Sequence, residues 1–177
     1  MLVNLSEVMT VTGRTKHMEV PLELTHFEKQ EESYPVVKKN PVILDITSTA
    51  ERKVRIQCKT SLSVMIPCSR CLEDVEVPFD IDYNREFDFR EIDGDRNEEL
   101  KEATYIQEFD LNVEDLIIEE LLVQFPMQTL CQEDCKGFCG KCGINLNTGA
   151  CECSQQGSDP RMLAIQDIFK NFGQTNE

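Results

Sequence analysis

The segment VEVPFDIDY, residues 75–83, shows most directly how this chain folds. Its apolar side chains alternate with acidic side chains and one proline, which is the period-two pattern of a strand with one buried face and one wet face. The same alternation appears in three earlier segments, 42–46, 54–58 and 62–66. Polar or charged residues separate these runs from one another. The pattern therefore predicts several adjacent antiparallel strands.

Further along the chain, residues 112–125 carry the signals of a helix. Asn112 can cap this helix, and Pro126 ends it. Apolar side chains occupy two sides of it. One side holds Ile117, Ile118, Leu121, Leu122 and Phe125, and the opposite side holds Leu116 and Val123. We expect a helix that packs on the sheet and is partly covered by another segment, with a partner-binding or dimer face as the alternative.

These elements predict an α+β fold with an antiparallel sheet, and a curled or barrel-like sheet is one form of it. The helix at residues 112–125 packs against that sheet. We expect an α+β domain over residues 1–126 and a cysteine-rich, metal-binding tail over residues 127–177. A short helix beginning at the sequence Ser158-Asp159-Pro160 is expected in the tail. Residues 90–104 have the composition of an acidic surface loop.

Six of the nine cysteines fall within 23 residues, and such density indicates metal binding. They are Cys131, Cys135, Cys139, Cys142, Cys151 and Cys153. The segment CGKCG, residues 139–143, has the form of a zinc knuckle, because glycines permit the tight turn that brings two thiolates to one ion. Cys151 and Cys153 can complete a tetrahedral site there, and Cys131 and Cys135 compete with them. Six thiols exceed the four ligands of a structural zinc, so two are spare or a second metal shares them.

The expected metal is zinc in a structural role. Four cysteine ligands leave no position for water, and a tail with so few apolar residues needs a metal to fold. An iron–sulfur cluster is the alternative, because tetrahedral thiolate sites suit either metal. The glycines of the knuckle and the absence of a family-type iron–sulfur spacing favour zinc.

Cys68, Arg70 and Cys71 belong to a second CxxC segment, which lies between two strand-like runs. Three interpretations stay open for it: a plain turn, a redox dithiol, or half of a metal site that is completed in trans or by the spare tail thiols. A redox dithiol normally lies at a helix N-terminus, and nothing after Cys71 has a helical pattern. Cys58 alternates with Ile56 and is most simply a core residue.

The net charge of −15 is concentrated in one part of the chain. Residues 73–120 hold 19 acidic and 4 basic side chains, which accounts for all of it. Residues 51–71 are locally basic and form either a solvated strand face or a small phosphate-contacting patch. So acidic a protein is disfavoured as a binder of bulk nucleic acid, because phosphate neutralisation supplies most of the non-specific affinity. A basic protein, or a specific RNA feature met by one face, is the expected partner.

Several classes of protein are excluded by the sequence. The odd number of cysteines and an N-terminus without a signal-peptide pattern argue against a secreted, disulfide-bonded protein. No apolar run approaches the roughly 18 to 20 residues that cross a bilayer. We therefore expect a cytoplasmic protein with reduced thiols that binds neither membrane nor small-molecule substrate. No glycine-rich phosphate loop and no Ser-His-Asp order can be assembled, so we expect no enzyme.

Three motifs together resemble the YceD family. They are CSRCLE at residues 68–73, the run LCQEDCKGFCGKCGINLN at residues 130–147 with Cys151 and Cys153 after it, and Asp159-Pro160-Arg161. The resemblance implies a non-catalytic role in 23S ribosomal RNA accumulation or processing, or in large-subunit assembly. It implies ribosomal RNA or a ribosomal or assembly protein as the partner, and a bound metal.

Two other functional hypotheses remain open. The first is a thiol redox or redox-sensing module that uses Cys68 and Cys71. The second makes the tail a zinc ribbon that binds nucleic acid through Lys136 and Lys141.

Overall fold

A computed structural model describes residues 1–90 and 98–153. The chain forms two compact units. The first comprises Met1–Ser69 and Glu73–Glu133, and the second comprises Arg70–Leu72 and Asp134–Glu177. The helix expected from Ser158 onward lies outside the described residues, as do residues 91–97 of the expected acidic loop.

Nine strands and three helices occur among the described residues. The strands are β1 (Leu2–Asn4), β2 (Thr15–Val20), β3 (His26–Lys29), β4 (Glu32–Lys39), β5 (Val42–Ala50), β6 (Lys53–Pro67), β7 (Asp74–Asp88), β8 (Ile106–Gln107) and β9 (Asp110–Asn112). The helices are α1 (Ser6–Met9), α2 (Glu98–Glu102) and α3 (Val113–Gln124). The expectation of a surface loop over residues 90–104 was wrong in part, because helix α2 lies within that range and its Leu100 is buried. None of these helices has the length and apolar content needed to cross a bilayer.

Six strands form one antiparallel sheet around β6, as predicted. The order is β2-β5-β6-β4-β3, and β7 pairs with the other side of β6. The β6–β7 hairpin is in register from Lys53 opposite Asp88 to Pro67 opposite Asp74. The expectation of a barrel-like sheet was wrong: within the described ranges β7 pairs with β6 alone, and no pairing joins it to β2 or β3. A second, three-stranded sheet has the order β1-β9-β8.

Helix α3 confirms the predicted start and end. The Asn112 side chain accepts a hydrogen bond from the Glu114 amide at 3.2 Å, and the chain leaves the helix at Phe125, before Pro126. Its buried side chains come from both of the sides described above: Ile117 and Leu121 belong to one side and Leu116 to the other. The 100° spacing of a helix groups its side chains but does not say which group meets the sheet.

The basic residues of β6 lie opposite the acidic residues of β7. Lys59 pairs with Asp82 at 3.0 Å and Arg55 pairs with Glu86 at 3.1 Å. These pairs are solvent-exposed, so each contributes little to stability. They favour a solvated strand face over the phosphate-contacting patch, because Arg55 and Lys59 of the locally basic stretch already have anionic neighbours.

Candidate metal centres

Cys68 and Cys71 lie in the turn between β6 and β7. The Cys68 amide donates to the carbonyl oxygen of Glu73 at 2.8 Å, and Leu72 takes a left-handed φ of 61°. Both thiols are buried, with Cys68 fully inaccessible and Cys71 8% exposed. A strand follows this turn, so neither thiol lies at the helix N-terminus that is typical of a redox dithiol.

Hydrogen bonds between Ser69 and Thr129 fix the position of Cys131. The Ser69 amide donates to the Thr129 carbonyl oxygen at 2.8 Å, and the Thr129 amide donates to the Ser69 hydroxyl at 3.2 Å. This pairing brings the Cys131 amide to 3.4 Å from the Cys68 sulfur. An N–H group directed at a sulfur favours the thiolate form, which is the form that binds metal.

Arg70 holds the segment that carries Cys135. Its guanidinium donates to the Cys135 carbonyl oxygen at 2.9 Å, and its own carbonyl accepts from the Phe138 amide at 3.2 Å. Gly137 makes this approach possible, since a Cβ atom there would lie 2.9 Å from the Arg70 carbonyl oxygen. Arg70 therefore contacts this segment at the backbone carbonyl of Cys135 and the backbone amide of Phe138.

Asn147 contacts Cys135 from the following hairpin. Its side-chain amide donates to the Cys135 sulfur at 3.2 Å, and its side-chain oxygen accepts from the Lys136 amide at 2.8 Å. A hydrogen bond that orients a ligand is a usual support of a metal site.

These contacts belong to the first of two groups of four thiols that could each hold a metal ion. The buried cysteine group consists of Cys68, Cys71, Cys131 and Cys135, of which Cys131 alone is exposed. The four sulfurs lie within 4.8 Å of one another. In a tetrahedral zinc site with bonds of about 2.3 Å, the sulfurs are about 3.8 Å apart. The arrangement fits such an ion with small adjustments.

The second group forms around the predicted knuckle. The surface cysteine group consists of Cys139, Cys142, Cys151 and Cys153, again with sulfurs within 4.8 Å of one another. The Cys151 sulfur lies 3.3 Å from that of Cys139 and 3.4 Å from that of Cys142. All four thiols are partly or fully exposed.

Tight turns shape the surface cysteine group. The Gly143 amide donates to the Cys139 carbonyl oxygen at 2.8 Å, and Gly143 has a left-handed φ of 73°. The Cys139 amide in turn donates to the Ile144 carbonyl oxygen at 2.8 Å. This is the glycine-permitted turn that the sequence predicted for the knuckle.

Two thiols of the surface cysteine group, Cys139 and Cys151, have very different pKa values. Backbone N–H groups of Cys142 and Lys141 lower the pKa of the Cys139 thiol to about 6. The hydrogen bond to Cys139 raises the pKa of the Cys151 thiol to about 12. The Cys139 thiolate therefore forms readily, and its negative charge disfavours ionisation of Cys151. A bound cation would favour the thiolate form of both residues.

The structure sorts the six predicted tail cysteines into two sets. Cys131 and Cys135 join Cys68 and Cys71, and the other four form the knuckle site. The signals for this division in the sequence were the surplus of two tail thiols and the unassigned CxxC segment, which spare tail thiols could complete as a metal site. Cys58 is a core residue as predicted, and burial raises its pKa to about 12.

The model of the family described as "Large ribosomal RNA subunit accumulation protein YceD" matches residues 56–169. The chain belongs to this family. The matched region contains all eight thiols of the two groups. The YceD description names the accumulation of a large-subunit ribosomal RNA, which supports a ribosome-related role in general.

Similar proteins are found in several bacteria. The uncharacterized protein YlbN of Bacillus subtilis is 27% identical over 120 residues, which is 67% of this chain and 68% of YlbN. Uncharacterized proteins of Mycobacterium tuberculosis and Mycobacterium bovis are 27% identical over 102 residues, which is 58% of this chain. The match covers 49% of each mycobacterial protein, so it spans about half of their length. No solved structure matches the chain significantly.

Proposed function

We propose that this protein is a non-catalytic cytoplasmic factor that supports the accumulation of 23S ribosomal RNA during assembly of the large ribosomal subunit. The observation that carries the proposal is the match to the YceD family across both cysteine groups. The partner is ribosomal RNA or a basic ribosomal or assembly protein.

Zinc is the metal that suits both groups. Each offers four thiolates and no water position, which is the ligand set of a structural zinc and leaves no open site for catalysis. The buried cysteine group ties the turn before β7 to residues 131–135. The surface cysteine group closes a hairpin whose described residues include few buried apolar side chains, so a metal would supply much of its folding free energy.

The thiol redox alternative has weaker support. A redox dithiol needs an accessible, low-pKa cysteine, and both Cys68 and Cys71 are buried in a turn that leads into a strand. Metal binding by the buried cysteine group already accounts for both thiols.

The test is the level of 23S ribosomal RNA in a strain that lacks this protein and in the same strain supplied with variants. We expect the ratio of 23S to 16S RNA to fall in the absence of the protein and to recover with the wild type. The Cys68→Ser/Cys71→Ser variant should fail to restore it. The control is Cys58→Ala, which removes a buried thiol outside both groups and should restore the ratio. A normal ratio in the strain without the protein would contradict the proposal.

A further inference from the structure

Helix α3 carries apolar side chains on its outer side as well as on its buried side. Val113, Leu116, Ile117 and Leu121 pack into the core. Leu122 is 43% exposed, Val123 is 80% exposed, and Met127 lies fully exposed three residues beyond the end of the helix. We call these last three side chains the α3 outer patch. Single exposed apolar residues are ordinary, but three within six residues at one end of a helix make a candidate contact surface.

The end of α3 that bears the patch is held rigidly. The Phe125 ring lies 5.5 Å from that of Phe27 and 5.1 Å from that of Tyr34, measured between centroids. The Lys29 ammonium lies 4.1 Å above the Phe125 ring. Because this aromatic cluster anchors the chain directly after the helix, the outer patch is presented on a fixed backbone and would pay little ordering entropy on binding.

Acidic side chains predominate on the helix that bears the patch: Glu119 and Glu120 lie about one turn before Leu122 and Val123, and Lys29 above the Phe125 ring is a cation close to this end. Helix α3 contains Glu114, Asp115, Glu119 and Glu120 and no lysine or arginine. The patch lies at the C-terminal end of the helix, where the macrodipole is negative, and the last turn has no basic side chain to offset it. A cation brought by a partner is therefore favoured at this end.

We propose that the α3 outer patch docks a basic amphipathic polypeptide segment, whose apolar side chains cover Leu122, Val123 and Met127 while its lysines or arginines meet the acidic residues of α3. This deepens the proposed function, on which it rests for the source of the segment: a basic protein of the assembling subunit. RNA is a poorer occupant, because the acidic helix repels phosphate. A second copy of the chain is also poorer, because a symmetric contact would bring two acidic helices together.

The test uses a synthetic amphipathic helix of lysine and leucine and a scrambled peptide of the same composition, with binding followed by fluorescence anisotropy. The full chain should bind the amphipathic peptide at least tenfold more tightly than the scrambled one. The Leu122→Ser/Val123→Ser variant should lose about tenfold in affinity. Its matched control is Val37→Ser/Ile43→Ser, which replaces two comparably exposed apolar side chains elsewhere in the fold and should bind like the wild type.

A second variant tests the charge contribution. Glu119→Gln should weaken peptide binding severalfold and flatten its dependence on salt concentration, because it removes one of the anions facing the partner. All variants should retain the wild-type circular dichroism spectrum, since the altered side chains are outside the core.

Three results would overturn the proposal. The first is an equal loss of affinity in the matched control, or no preference for the amphipathic over the scrambled peptide. The second is binding of a single-stranded RNA oligonucleotide that the Leu122→Ser/Val123→Ser variant abolishes. The third is a wild-type dimer in sedimentation that the same variant dissociates. None of these depends on 23S RNA levels, so failure of the docking surface and failure of the proposed function are separately visible.

Discussion

The Cys131 amide lies 3.4 Å from the Cys68 sulfur, although 63 residues separate the two in the chain. This contact joins the CxxC turn of the β6–β7 hairpin to the start of the cysteine-rich segment. It makes Cys68 and Cys71 members of a four-thiol group.

Asn147 should support the metal of the buried cysteine group without being a ligand. Asn147→Ala removes the amide that donates to the Cys135 sulfur, and we expect zinc affinity at this group to fall by about 10- to 100-fold. Competition with a chelator of known affinity measures the change. Asn84→Ala, which alters an exposed asparagine on β7, is the control and should leave the affinity unchanged. An affinity equal to that of wild type in the Asn147 variant would refute this supporting role.

The two groups should release metal at different rates. Three thiols of the buried cysteine group are inaccessible or nearly so, whereas all four of the surface cysteine group are open to solvent. A chromogenic chelator should therefore record a fast phase and a slow phase of equal amplitude. Cys142→Ser should abolish the fast phase and Cys71→Ser the slow one. A single phase in the wild type, or the reverse assignment of phases, would count against this account.

In metal-free protein, Cys139 should be the most reactive thiol near neutral pH. Its pKa is lowered to about 6, so the thiolate persists from about pH 8 down to pH 6 and is protonated below that. An ordinary thiol, with a pKa of about 8.5, is already mostly protonated at pH 7. Alkylation by iodoacetamide, mapped by mass spectrometry, should label Cys139 first at pH 7 and decline below pH 6.

The same shift has a consequence for stability. Because the folded-state pKa of Cys139 is depressed, its contribution to metal-free stability is present above the unfolded pKa of about 8.5 and is lost as pH falls through about 6. Cys58, whose pKa burial raises to about 12, should remain unlabelled throughout and is the internal control. Equal labelling of Cys139 and Cys151 at pH 7 would contradict the assigned titration order.

Gly137 should tolerate no side chain. It has a left-handed φ of 77°, and a Cβ atom would lie 2.9 Å from the Arg70 carbonyl oxygen. Gly13 has a similar φ of 83° but open space around it. The loss of unfolding free energy in Gly13→Ala, about 1 to 2 kcal/mol, therefore reports the left-handed backbone conformation without a steric clash. Gly137→Ala should lower the melting temperature clearly more than Gly13→Ala does. Equal effects of the two substitutions would show that the close approach to Arg70 contributes nothing.

Much of the first unit could be predicted from side-chain alternation, because a strand with one buried face leaves a period of two in the sequence. The alternation failed to show that residues 54–58 and 62–66 belong to the single strand β6. The reason is that Lys59, Thr60 and Ser61 are all polar, so the apolar run is interrupted at Thr60 although its phase continues to Leu62.

The sequence raised the joining of Cys68 and Cys71 to two tail thiols as one of three interpretations but could not decide for it, because the grouping depends on proximity between segments far apart in the chain. The knuckle ligands are near neighbours and their spacing is informative, whereas Cys68 and Cys131 meet only through the pairing of Ser69 with Thr129. The pairing of the charges could not be predicted from the sequence for a similar reason. The locally basic and acidic stretches are separate in sequence, but the β6–β7 register places Lys59 opposite Asp82.

Two structural zinc sites of four thiols each should be visible in the metal content of protein purified without added metal. We predict two equivalents of zinc per chain by elemental analysis. The Cys68→Ser variant should retain one equivalent, and its melting temperature should fall by about 10 °C, because the ligand set supports folding and each kcal/mol lost shifts the transition by about 2 to 4 °C. The Cys58→Ala control should retain two. Less than about half an equivalent of any metal in the wild-type protein would contradict the account.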